Sequence, residues 1–213
     1  MQMRARPSFL ILHGLENYRP PGHWQYWLAT QLERSRYRVF YPALPGPDSP
    51  SLAAWTAALH TLLTRMDSEE RVVICHSLAC LLWFHVAPAL GANEYVERLL
   101  LVSPPASHQL PGNAATFGSA SFDLAAVRSS VRSEIRIVCS DSDPYNRPGA
   151  HGLYAQPLGT SATVLNGAGH ITPADGYGPW PSLQAWCADP REPITSNAGP
   201  QKRIEKAVCS TRS

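Results

Sequence analysis

Apolar residues recur along this chain in six short runs, and most of the stretches between them have helical period. Residues 9–12 are apolar with no polar alternation, the pattern of a parallel strand covered on both faces. Residues 37–41, 71–75, 96–102, 135–139 and 160–165 predict five more strands, the third centred on Val72, Val73 and Ile74. Residues 24–35 read as a helix because Trp24, Trp27, Leu28 and Leu32 fall on one stripe. Ser51 caps a helix running to about residue 66, with Leu52, Trp55, Leu59, Leu62 and Leu63 on its apolar face. Residues 78–90 predict a helix, 122–129 a short one, 150–158 a weak one and 179–188 the last. That last helix opens on a proline, whose missing N–H costs nothing there. The proline-rich segment 42–50 can hold neither helix nor inner strand. Segment 13–22 is a loop, and 103–121, rich in Pro, Gly, Ser and Ala without a period, is a loop or small excursion near the site. The alternation predicts an α/β fold, a mostly parallel central sheet flanked by helices on both faces.

Size and composition narrow this reading. A chain of 213 residues suits one domain, expected over residues 1–193, with a polar, flexible tail over 194–213 in which 201–208 could form a short helix. The net charge of +2 and the lack of a sustained basic patch give no case for a nucleic-acid partner. The run 9–12 meets His13 and Gly14 at once, too short for a signal-peptide core or a membrane span, and no stretch has the pattern of an interfacial helix. The expected location is therefore cytoplasmic, with no membrane partner. Cys75, Cys80, Cys139, Cys187 and Cys209 are odd in number and form no CxxC pair, so they read as small hydrophobes in a reducing compartment. No HExxH, EF-hand, Walker loop or dinucleotide fingerprint occurs, and His108, His151 and His170 have no ligand spacing, so no metal and no cofactor is expected.

The strongest chemical signal is Val72-Val73-Ile74-Cys75-His76-Ser77-Leu78-Ala79, a buried strand running into a serine and then a helix. A serine at such a corner is held in a strained turn with its hydroxyl exposed, and small residues are needed two before and two after it. Where the usual pattern has glycines, this chain has Cys75 and Ala79, both small. The plainer alternative is a helix-capping serine. Asp143 follows the fifth strand and the glycine-flanked His170 follows the sixth, giving the chain order nucleophile, acid, histidine at the carboxyl ends of the strands. His170 would take the Ser77 proton and Asp143 would hold the imidazole in its tautomer. Asp141 and Asp123 are rival acids, Asp141 being a candidate to cap the turn instead. Oxyanion donors are expected from the backbone N–H of Leu78 and from that of Leu15 or Glu16, with Gly14 allowing a sharp turn.

The other candidates have plainer readings. Cys75 competes as a nucleophile but belongs to the strand; His76 is expected to point away from the corner; His13 reads as structural and Trp27 as core. Tyr18, His23, Phe117, Phe122, Tyr145 and Trp180 are candidates for the substrate pocket, whose apolar character suits a small acyl or aromatic ester.

Several segments together resemble the RBBP9/YdeN family of serine hydrolases over roughly residues 9–186. They are His13-Gly14 with His23-Trp24-Gln25 and Trp27; Pro42-Ala43-Leu44-Pro45, Pro47-Asp48 and Pro50 ahead of Trp55; His76-Ser77-Leu78; Asp143-Pro144-Tyr145; Gly169-His170-Ile171; and Gly178-Pro179-Trp180-Pro181. The resemblance implies a compact α/β-hydrolase fold without a large cap domain, a triad of Ser77, Asp143 and His170, and hydrolysis of small acyl substrates. Members usually carry glycine where Cys75 stands and often where Ala79 stands. A retinoblastoma-protein interaction, associated with mammalian relatives, is not carried over, because no Leu-x-Cys-x-Glu occurs. A serine hydrolase acting on an ester, thioester, amide or lactone, a non-catalytic binding protein on the same fold and an acyl-transfer or ring-forming enzyme all stay open at this point, as does a homodimer.

Overall fold

A computed structural model describes residues 6–68 and 70–197. Six strands form one parallel sheet: β1 (Ser8–Leu12), β2 (Arg38–Phe40), β3 (Arg71–His76), β4 (Val96–Val102), β5 (Val131–Ser140) and β6 (Ala162–Leu165), in the order β2-β1-β3-β4-β5-β6. Five α-helices cover it: α1 (Trp24–Arg34), α2 (Leu52–Thr64), α3 (Leu78–Val86), α4 (Leu124–Ser129) and α5 (Pro181–Ala188). This is a compact α/β-hydrolase fold.

Both faces are buried, which explains why the strands read as continuous apolar runs. Alternate residues supply two separate cores. Leu10, Leu12, Val73, Cys75, Leu99 and Leu101 face α2, α3 and α4, whereas Phe9, Ile11, Val72, Ile74, Leu100 and Val102 face α1 and α5. The stripe on α1 is buried as predicted at Trp24, Leu28 and Leu32, with Trp27 at its margin.

Several boundaries differ from the sequence reading. The β5 strand starts at Val131, four residues early, because Val131 pairs with Val96 across a bulge between Val96 and Arg98. The helix expected over 78–90 stops at Val86 and tightens into a 3₁₀ turn at Ala87–Ala89, where Pro88 cannot donate to the helix. The weak helix over 150–158 is a single π-type turn, His151–Ala155. The last helix begins at Pro181 rather than Pro179. Packing also continues past Pro193: Ile194 is buried, and the Thr195 carbonyl accepts from Trp180 Nε1 at 2.8 Å. Most of the expected tail, with the 201–208 helix and Cys209, lies outside the described residues. No helix among the described residues is long and apolar enough to cross a membrane.

Candidate active site

The β3 strand delivers Ser77 directly to the start of α3. Ser77 has φ 54° and ψ −122°, a left-handed conformation costly for a residue with a Cβ, and makes no side-chain cap on the helix. The corner is tied down by Ser77 N–H, which donates to Val102 O at 2.9 Å. Cys75 and Ala79 both fit, each fully buried. Burial pushes the Cys75 thiol well above its ordinary range, so it is a packed neutral group and no rival nucleophile.

Gly14 acts differently from the sharp turn expected of it. Its φ is not in the left-handed region; instead, a Cβ there would stand 2.8 Å from Ser77 Cβ and 3.2 Å from Ser77 Oγ. Only glycine lets the loop after β1 press against the serine. That approach brings Leu15 beside Ser77 and Leu78 on the wall of one cavity. Of the two expected donors on this loop, the Glu16 N–H is occupied by Pro47 O at 2.8 Å. Leu78, the first residue of α3, has no intrahelical acceptor for its own N–H.

The structure brings Asp143 and His170 to Ser77. His170 Nε2 lies 2.8 Å from Ser77 Oγ, and His170 Nδ1 lies 2.9 Å from each Asp143 oxygen. Asp143 is buried, and its Oδ1 also accepts the Tyr145 N–H at 2.9 Å. Because a carboxylate can only accept, Nδ1 carries the hydrogen and Nε2 is left to accept from the serine hydroxyl. Both rival acids have other partners. Asp141 Oδ1 accepts from Gly167 N, and Asp123 caps α4 through Ala126 N.

A second group of residues holds the histidine arm, and of these sequence reasoning named only Asp141, as a turn cap. Asp141 Oδ1, Ser140 Oγ and Ser142 Oγ accept from the N–H groups of Gly167, Ala168 and Gly169 at 2.7, 3.0 and 3.1 Å. These three bonds stitch the turn after β5 to the turn after β6. Asp175 Oδ2 accepts from His170 N, Thr172 N and Thr172 Oγ1, closing the far side of the arm. Gly169 has φ 55°, and a Cβ on it would run into the Asp175 carboxylate at 2.0 Å. The Ser-Asp-Ser run 140–142 and the Thr172/Asp175 spacing were the available signals.

Three further histidines surround the site, all with pKa values lowered chiefly by burial. His13 donates from Nδ1 to Gly14 O and accepts Leu44 N–H at Nε2, each at 2.8 Å, so it is neutral and ties two loops together. His23 caps α1 by accepting Gln25 N–H at Nδ1, and its pKa is pushed down to about 4. His76, expected to point away from the corner, instead packs its ring 5.2 Å from that of His170 and donates from Nε2 to the His170 carbonyl at 3.1 Å. It reaches there because the strand side chain before Ser77 projects under the arm, and it is held well below its ordinary pKa.

The cavity beside Ser77 has a volume of about 700 Å³. Tyr18, His23 and Tyr145 line it. Phe117, Phe122 and Trp180 do not, and this corrects the sequence reading. Phe117 packs on Trp55, Phe122 on Phe84 and His85, and Trp180 on Trp24 and Tyr177, all in or against the core. Apolar rings in a segment without periodicity gave no sign of which way they face.

Residues 9–188 match the model of a family described as serine hydrolase. No curated protein sequence matches the chain. Among solved structures, the ydeN gene product of B. subtilis is similar at 22% identity, with 85% of this chain and 96% of that one covered and a TM-score of 0.75. A Pectobacterium atrosepticum protein described as a putative YdeN-like hydrolase has 19% identity, coverage of 86% and 90% and a TM-score of 0.65. A thioesterase domain from the curacin biosynthetic pathway has 14% identity, coverage of 87% and 92% and a TM-score of 0.61. At such identities the likeness is one of fold.

Proposed function

We propose that this chain, which belongs to the serine hydrolase family, cleaves small acyl esters through an acyl-enzyme at Ser77. One observation carries the reading: Ser77 Oγ, His170 Nε2 and the Asp143 carboxylate form a continuous hydrogen-bonded line that ends in a cavity.

The chemistry follows from where protons can go. His170 takes the Ser77 proton as Oγ attacks the ester carbonyl, and buried Asp143 stabilises the imidazolium that results. The negative charge that develops on the carbonyl oxygen falls between the Leu15 and Leu78 backbone N–H groups, at the positive end of α3. As the tetrahedral species collapses, His170 returns its proton to the leaving oxygen. Water then repeats the sequence on the acyl-enzyme. His76 and Asp175 act through position, by holding the carbonyl and the N–H of His170. The four described cysteines are buried and unpaired, which supports a reducing, cytoplasmic setting.

A fluorophosphonate probe tests this directly. It labels Ser77 in the wild type and fails on Ser77→Ala, and the wild type turns over p-nitrophenyl butyrate. A folded wild type that is neither labelled nor active on the ester would overturn the reading.

A further inference from the structure

We propose that the acyl chain of the substrate lies against an apolar wall formed by Leu15, Leu78, Leu110, Pro111 and Ala114, so that the site takes straight hydrocarbon chains longer than acetyl. The proposal rests on the hydrolase reading above and gives it a substrate class.

Proton transfer sets the direction of the cavity. The leaving oxygen must receive its proton from His170 Nε2, so the leaving group stands on the His170 side, where the Tyr145 ring lies 4.6 Å from the imidazole and Thr172 borders the same space. The rest of the acyl group has to point the other way. The two sides of the cavity rise from opposite faces of the sheet. Leu78 and Ala114 belong to the core shared with α2 and α3, and Leu15 and Leu110 pack on that core. Ile171, next to His170, belongs to the core shared with α1 and α5, and its carbonyl accepts from Trp24 Nε1.

The five side chains of this wall carry no charge and no hydrogen-bonding group, whereas the opposite wall holds His23, His170, Thr172 and Asp175. A hydrocarbon chain loses nothing by leaving water for such a wall, and the polar groups nearest to it, on Glu16, Asn17 and Tyr18, belong to the neighbouring loop and not to these five side chains. Ala114 backs this wall. It is fully buried in the 3₁₀ turn Gly112–Phe117, and the large side chain of that turn, Phe117, packs away on Trp55 with ring centroids 5.2 Å apart. Ala114 is the smallest side chain of the wall, so a larger side chain there would take space from the chain that lies against it.

The test measures kcat/KM of the full chain on p-nitrophenyl acetate, butyrate, hexanoate and octanoate. Each methylene that reaches the wall raises kcat/KM by up to about fourfold, and the rise stops when the chain outgrows the wall. Ala114→Leu lowers the hexanoate-to-acetate ratio about tenfold. Leu110→Ser, at a half-buried position outside the core, lowers the same ratio several-fold and serves if Ala114→Leu unfolds by circular dichroism. A series that is flat or falls from acetate onward overturns the proposal while leaving the hydrolase reading intact. So does a rising series whose slope neither folded variant changes. Loss of all ester turnover together with an unlabelled Ser77 is a different result: the hydrolase reading itself then fails and takes this proposal with it.

Discussion

Ser77 and His170 meet at 2.8 Å, yet they are held there by opposite kinds of force. Apart from the Ser77 N–H bond to Val102 O, the serine corner is fixed by packing: Cys75, Leu78 and Ala79 are buried around it, and Gly14 presses in from the loop after β1. The histidine arm is fixed by polar contacts. Three hydrogen bonds join it to the turn after β5, Asp175 holds its backbone, and His76 supports its carbonyl. A packed corner resists loss of polar groups and fails on added volume. A stitched arm does the reverse, because each removed acceptor strands an N–H group.

The largest expected effect breaks the packed side. Gly14→Ala places a methyl carbon 2.8 Å from Ser77 Cβ, so either the corner or the loop bearing the Leu15 N–H has to move. Displacement of this order lowers kcat by about a hundredfold, with the far-ultraviolet circular dichroism unchanged. On the stitched side, Ser140→Ala removes the acceptor of Ala168 N–H and weakens the anchoring of the arm by about 1–3 kcal/mol. Its signature is a lower kcat and slower fluorophosphonate labelling with KM little changed.

Acid sharpens the comparison further, because the buried histidines gather around the arm. The folded-state pKa of His23 is lowered to about 4 from 6.5, so the unfolded chain binds more protons between these values. The stability that His23 contributes as a neutral group is complete above pH 6.5 and is lost as pH falls toward 4. Urea unfolding at pH 7 and pH 5 should show a loss of about 2 kcal/mol from this group, removed from the slope by His23→Gln. The smallest effect returns to the corner. Cys75 already fits, so Cys75→Gly leaves kcat/KM within about twofold while costing about 1 kcal/mol of stability through the flexible backbone it introduces.

The strands and the outline of the sheet were legible because both sheet faces are buried, which makes each strand a plain apolar run. Ser77, Asp143 and His170 could be read as neighbours because each follows a strand, and strands that run in one direction end on one edge. The arm's supports were not legible. Ser140, Ser142 and Asp175 are ordinary polar residues whose partners lie in another turn or on the backbone nearby. His76 is structural, but its partner could not be read from the strand, because it sits on the loop that arrives from residue 170. Phe117, Phe122 and Trp180 were assigned to the pocket on ring type alone, where only packing could decide their direction.

The sheet ends at β6, a strand of four residues that pairs on one side only, and His170 stands five residues beyond its last member. A short strand bonded along one edge only opens locally at a lower free energy than the body of a protein. Warming should then detach the histidine from the serine while the helices and inner strands still hold. Ester turnover would fade several degrees before the helical signal does, and cooling would restore it, so that loss of turnover marks the fraying of one edge and not the collapse of the whole.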